Sequence, residues 1–158
     1  MKKGKLIVIE GIDGSGKGTQ AKMLVERLKR TNVPVAAVSF PRYGTPAAHF
    51  VEEYLRGGYG RGVPPRAAAL FYALDRFEAA PQLRATLARG THIITDRYVM
   101  SNLHQAANIA SARERAAFVR WLGEFEYDTL GVPVPDLQVF LDVPPKLAFQ
   151  FIAKKESR

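Results

Sequence analysis

The sequence predicts an α/β fold: a mostly parallel sheet with helices on both faces, in three layers. Three observations carry this expectation. Short apolar runs at residues 6–9, 35–40, 92–95 and 137–143 alternate with longer stretches of helical period. Strands separated by helices pair in parallel through crossover connections. The apolar runs are uniform rather than alternating in polarity, as expected of strands covered on both sides.

The first run, LIVI, ends at Glu10 and leads into a glycine-rich stretch over 11–18. From 19 to 30, apolar residues fall at Ala21, Leu24, Val25 and Leu28 with basic residues between them, a helical period that Asn32 and Pro34 end. The second run stops at Pro41. Residues 47–56 read as a short helix and 57–65 as a loop. Residues 66–89 are mostly helical, with Leu70, Leu74 and Phe77 on one face and Gly90 as C-cap. Pro81 is expected to kink this helix or split it in two. After the third run, helices are expected over 99–110 and 112–122, and beyond the fourth run Pro144 and Pro145 open a last helix. No repeat, low-complexity tract or linker interrupts the chain, so residues 1–158 are expected to form a single domain.

Composition narrows the function classes. A hydrophobic content of 47% beside 24% charged residues argues against disorder in a chain of 158 residues. The absence of cysteine excludes disulfides, thiolate metal sites and cysteine nucleophiles, and fits a reducing compartment. The apolar run near the start is too short for a signal peptide core, and no stretch approaches the roughly 20 apolar residues of a membrane span. A soluble, cytoplasmic protein with no membrane partner is expected. The net charge of +8 favours anionic partners, or is simply a solvated basic surface. Arginines are scattered from Arg27 to Arg158 without a clustered basic and aromatic platform, so nucleic acid is not expected as a partner.

The strongest chemical signal is Gly11-Ile12-Asp13-Gly14-Ser15-Gly16-Lys17-Gly18-Thr19, which follows a strand and opens a helix. In that setting glycines let backbone N–H groups turn inward around a phosphate, the helix dipole adds positive potential, and Lys17 reaches the β- and γ-phosphates. Lys17 is expected to be an exposed loop cation. The general motif has Ser or Thr directly after the lysine, where its hydroxyl binds Mg2+; here Gly18 intervenes and Thr19 follows. Magnesium is then expected to rely mainly on phosphate, water and a carboxylate. This Gly-Lys-Gly-Thr ending resembles the loops of adenylate kinases and their relatives.

The second and third strands end in Ser39-Phe40-Pro41-Arg42-Tyr43 and Thr95-Asp96-Arg97-Tyr98. Ligands of open α/β sheets bind beyond such C-terminal strand ends. A carboxylate there orients magnesium or its water, and a guanidinium stabilises phosphoryl oxygens in the transition state. Asp96 and Arg97 also suit a purely structural salt bridge.

Glu10 through Gln20, Phe40-Pro41-Arg42-Tyr43, Leu70-Phe71 with Asp75-Arg76, and Asp96-Arg97-Tyr98 with Ser101 resemble, in order and spacing, the motifs of thymidylate kinases. The resemblance runs from Lys5 to about Lys155. It implies a P-loop NTPase fold, ATP as phosphoryl donor, Mg2+, thymidylate as acceptor (dTMP + ATP giving dTDP + ADP), and a homodimer. It also implies roles for single residues. Gly11 to Thr19 would bind the donor, with Lys17 on its phosphates, and Asp13 would contact the 3′-hydroxyl of the acceptor sugar. Phe40, Pro41 and Arg42 would flank the acceptor base and phosphate. Phe71 would stack on thymine and Arg76 would donate to its O4; about 140° apart on one helix, both can border a pocket beside it. Asp96, with Thr19, would serve magnesium, Arg97 the phosphates, and Ser101 and Asn102 would sit near the base. By residue type alone, Phe71 suits ordinary core packing as well.

The sequence departs from the family at three places. Where members often carry a tyrosine that crowds a ribose 2′-hydroxyl, this chain reads Leu103-His104-Gln105. Some members have an arginine in the phosphate loop where Gly14 stands; others place it in a lid. The family continues with that lid, a further strand and helices, whereas this sequence ends at Lys154-Lys155-Glu156-Ser157-Arg158. It is therefore expected to be C-terminally incomplete relative to the family, with only Lys154, Lys155 or Arg158 to supply lid-like charge, and to bind thymidylate far better than it turns it over. Two alternatives remain open: a kinase for another nucleoside monophosphate or a deoxynucleoside, and a nucleotide-binding module without turnover.

Overall fold

A computed structural model describes residues 2–156, with side chains described through Ala153. The chain packs as two compact units, one made of Met1–Val38, Thr86–Tyr98 and Pro135–Arg158, the other of Ser39–Ala85 and Val99–Val134.

The first unit holds a four-stranded sheet of β1 (Leu6–Gly11), β2 (Val35–Ser39), β3 (His92–Asp96) and β4 (Leu137–Leu141), in the order β2-β3-β1-β4. β1 runs parallel to both neighbours, Leu6 facing Ile93 and Ile9 facing Asp96 on one side, Ile7 facing Leu137 and Gly11 facing Leu141 on the other. The start of this register is tied by Asp136, which accepts from the Leu6 N–H at 2.9 Å and from Lys5 Nζ at 2.7 Å. Helix α1 (Lys17–Arg30) lays Ala21 and Val25 on Ile9 and Ile94, with Ile7, Leu24, Leu28, Val35 and Leu141 around them. Helix α5 (Pro145–Glu156) begins where the paired prolines allow it.

Coverage on both sides, expected of every strand, is found only in the centre. Consecutive residues of β1 and β3 are buried, among them Val8, Ile9 and Glu10, and Ile93, Ile94 and Thr95. β4 instead leaves Leu137, Val139 and Phe140 exposed, and β2 is only half covered. These two are the outer strands of the sheet, and β4 stops at Leu141 rather than at residue 143.

The second unit contains a 3₁₀ turn (Pro46–Ala48), α2 (His49–Leu55), most of α3 (Pro65–Ala88), a 3₁₀ run (Val99–Asn108), α4 (Ala112–Gly123) and a π-helical turn (Glu124–Thr129). Three expectations are refined here. Helix α3 is not split at Pro81 but continues through it. Only the bond to the Phe77 carbonyl loses its donor, and Phe77 is half exposed, so water can serve that oxygen. Leu70, Leu74 and Phe77 share an exposed face, while Ala68, Ala69, Ala73, Ala79 and Ala80 are buried, small side chains permitting close approach. The helix expected after β3 is of the 3₁₀ kind, and of its buried residues Val99, Asn102, Gln105 and Ala106 the first three recur every third position. That spacing suits three residues per turn. Gly90 does close α3 as expected, at φ 83° with its N–H on the Leu87 carbonyl. Among the described residues no helix is long and apolar enough to cross a membrane.

Candidate active site

In the first unit the chain leaves β1 at Gly11 and turns through Gly14 (φ 80°) and Gly16 (φ 87°), conformations open to glycine. Gly16 caps α1 without a side-chain oxygen, and the first turn holds no acidic residue, so no side-chain cap occupies the N–H groups of that turn. Contrary to expectation Lys17 is buried, only 5% exposed, because its side chain folds back over the loop. Its Nζ donates to the Ile12 carbonyl at 2.7 Å and lies 3.7 Å from Asp13 Oδ1. Burial pushes the ammonium below its ordinary pKa and Arg97 adds to that, against the pull of Asp13, Asp96 and Glu10. The Ser15 hydroxyl is buried with no hydrogen-bond partner among the described residues. Ile12, Gly18 and Thr19 are exposed.

The end of β3 brings Asp96 and Arg97 to the same loop. Arg97 sits at φ 67°, a left-handed conformation that a residue with a Cβ adopts only when its surroundings impose it. They do so here: its N–H donates to the Ile9 carbonyl at 3.1 Å, its carbonyl accepts from Thr95 Oγ1 at 2.8 Å, and its guanidinium pairs with Asp13. Burial works to raise the Asp13 carboxyl, but the hydrogen bond and charge of Arg97, with the charge of Lys17, outweigh it and hold the pKa below its ordinary value. Asp96 goes the other way: burial raises its carboxyl, helped by the charge of Asp13 and opposed by Lys17 and Arg97. Its Oδ1 is buried without a partner among the described residues, and a Cβ on Gly18 would stand 3.0 Å from its Oδ2. Gly18 thus leaves room for this carboxylate beside the loop. Glu10, buried at the end of β1, accepts from the Tyr98 N–H at 2.8 Å and joins the two strand ends.

In the second unit Arg76 and Asn102 come together around a residue to which sequence reasoning assigned no role. Glu126 is fully buried; its Oε2 accepts from Arg76 Nε at 2.5 Å, and its Oε1 from Arg76 Nη2 at 2.6 Å and Asn102 Nδ2 at 3.0 Å. The Asn102 amide also donates to the Ala69 carbonyl at 3.1 Å. Both of those partners can only accept, which fixes the amide with its oxygen turned away. Asn102 Oδ1 is buried with no partner among the described residues, and an acceptor left so costs about 1–3 kcal/mol until a donor reaches it.

Arg42 is held by Asp75, which accepts from its backbone N–H and its Nε, each at 2.7 Å, and by Glu78. Phe40 is buried beside that guanidinium, 5.9 Å from its ring centroid, and Pro41 follows it through a cis peptide bond. Phe71 is half-buried in a cluster of rings, stacked with Tyr59 at 4.8 Å and close to Phe50 and Tyr54. Ser101 is half-buried, and its carbonyl lies 2.5 Å from His104 Nδ1; His104 Nε2 is 2.7 Å from Gln105 Nε2, and its ring meets Tyr72 edge-on. Lys154, Lys155 and Arg158, named above for lid-like charge, lie outside the described side chains.

Known proteins resemble this chain in sequence and fold. The thymidylate kinase family model matches residues 9–158. A thymidylate kinase of Mycobacterium tuberculosis is 40% identical over 148 residues, which cover 90% of this chain and 68% of that one. Another, from Caenorhabditis elegans, is 32% identical with 94% and 67% covered. Among solved structures, the thymidylate kinase of Candida albicans superposes with a TM-score of 0.74 at 28% identity, covering 98% of this chain and 76% of that one. The chain thus spans about two thirds of the length of the curated relatives it matches. Its parallel sheet with a phosphate loop after the first strand is the fold of that Candida enzyme. Matched by the family model over most of its length and by relatives at 40% and 32% identity, the chain belongs to the thymidylate kinase family.

Proposed function

We propose that this chain catalyses phosphoryl transfer from ATP to thymidylate, giving dTDP and ADP, in the synthesis of pyrimidine deoxynucleotides. The observation that carries the acceptor is the buried Asn102 Oδ1, without a partner among the described residues and held with the Arg76 guanidinium on the same Glu126 carboxylate. Thymine offers what such a pair reads: an N3–H to donate and an O4 to accept. Family membership supports the same reaction. On this reading the loop from Gly11 to Thr19, with Lys17, holds the donor phosphates, and Arg97 steadies phosphoryl oxygens. Asp13 meets the acceptor sugar, Phe71 stacks on the base, Ser101 lies near it, and Phe40, Pro41 and Arg42 flank the acceptor.

Magnesium fits Asp96, whose Oδ1 is buried without a partner among the described residues, with Thr19 in the first turn of α1 as a second candidate. An ion there would keep water and phosphate oxygens among its ligands. Bound there, it would neutralise charge on the donor phosphates. The exposed Leu70, Leu74 and Phe77 on α3 support a homodimer, and we take residues 1–158 as one kinase core working in the cytoplasm without a nucleic-acid partner.

A coupled ADP-release assay with ATP and Mg2+ across dTMP, dCMP, AMP and thymidine tests this reading. Thymidylate should be the preferred acceptor by at least tenfold. Equal or better turnover of AMP or of the nucleoside would overturn it.

A further inference from the structure

The carboxylate of Glu126 is entirely buried, far from the phosphate loop in sequence, and no step of phosphoryl transfer uses it. Its two oxygens take three hydrogen bonds, two from Arg76 and one from Asn102. We propose that Glu126 is the positioning residue that makes the acceptor site select an imide pyrimidine over cytosine, by holding Arg76 and Asn102 in one donor–acceptor orientation. The inference rests on the thymidylate reading above and adds the device that enforces it.

The argument is one of polarity. A carboxylate and a peptide carbonyl only accept, so both Asn102 N–H groups are committed, one to Glu126 and one to Ala69. The side-on contact of Glu126 with Arg76 Nε and Nη2 likewise fixes the plane of the guanidinium. The site therefore presents an acceptor, Asn102 Oδ1, and a cationic donor, Arg76. Thymine and uracil complement this pair with N3–H and O4. Cytosine opposes it twice, with a lone pair at N3 and an amino group at C4. Admitting cytosine requires the Asn102 amide to turn over, which would set its oxygen against both the Glu126 carboxylate and the Ala69 carbonyl. Buried as they are, at 1% and 0% exposure, neither side chain has water to soften that opposition. A site built on hydrogen bonds of this kind rejects the mismatched ligand strongly.

Glu126→Gln removes the constraint with little change of shape, because a glutamine amide can donate to Asn102 Oδ1 or accept from its Nδ2. Calorimetry on the full chain with dTMP, dUMP and dCMP reads the result. Wild type should bind dTMP and dUMP at least roughly 100-fold tighter than dCMP. In E126Q the dTMP and dUMP affinities should fall together, and their ratio to dCMP should narrow by tenfold or more. A ratio unchanged in a folded variant, with all three affinities falling alike, would make Glu126 merely structural. Should E126Q not fold, Glu126→Asp keeps the charge for Arg76 on a shorter stem and releases Asn102; its ratio must narrow too, and an unchanged one overturns the proposal. Wild type that binds no thymidylate at all would overturn the functional reading itself, and this inference with it.

Discussion

Gly14 lies so close to the last helix that a Cβ placed on it would stand 2.3 Å from the carbonyl oxygen of Ala148. The backbone there is also left-handed, at φ 80°. Gly14→Ala should cost at least about 1–2 kcal/mol from the conformation alone, with the clash in addition. A lowered thermal midpoint would show it. Gly14→Arg, which would copy the loop arginine of some relatives, should lower stability likewise instead of raising turnover. A stable and faster G14R would mean that α5 yields easily.

Lys17→Met should lower ATP affinity roughly 10- to 100-fold, the loss of a charged hydrogen bond to phosphate. The protein should stay folded, because burial disfavours the ammonium that is removed. Calorimetry beside a thermal melt separates the two effects, and unchanged ATP affinity would remove Lys17 from the donor site.

Asp96→Asn should raise stability and cut turnover at least tenfold. Burial holds the Asp96 carboxyl above its ordinary pKa in the fold, so the charged form is disfavoured there. The advantage of the neutral variant should therefore be full above that folded-state pKa and vanish as pH falls below about 3.8, where both chains are neutral. Melts of both proteins from pH 3.5 to 8 check the sign. A destabilised D96N would point to a structural salt bridge.

Phe71→Ala should weaken thymidylate binding by about 1–3 kcal/mol and leave ATP binding alone. Since Tyr59 stacks on Phe71, some stability should be lost as well. If the folded variant binds thymidylate normally, Phe71 serves the ring cluster only.

The glycine turn between β1 and α1 was legible in the sequence because its signals are local: glycines, lysine and helix start follow one another within nine positions. Gly90 and the paired prolines before α5 were legible for the same reason. Glu126 was not, since it stands 50 positions from Arg76 and 24 from Asn102, and nothing in the residues around it marks a buried carboxylate. Over the ten residues of the 3₁₀ run, a period of 3.0 is hard to tell from 3.6. Leu70, Leu74 and Phe77 have the right spacing for a core stripe, yet the alanine face of α3 packs more closely and was harder to see as a signal. Lys17 looked exposed because sequence gives a lysine's charge and not the carbonyl its stem can reach back to.

Arg97 combines a left-handed backbone with a cationic side chain, next to a carboxylate that burial holds above its ordinary pKa. Laboratory selection for heat resistance alone would find this corner quickly, since glycine at 97 relaxes the backbone and asparagine at 96 removes a buried charge. On the roles proposed for Asp96 and Arg97, the survivors would be hardier proteins with a disarmed strand end. Any campaign to toughen this enzyme should therefore leave 96 and 97 out of its libraries, or score every clone for turnover as well as for melting.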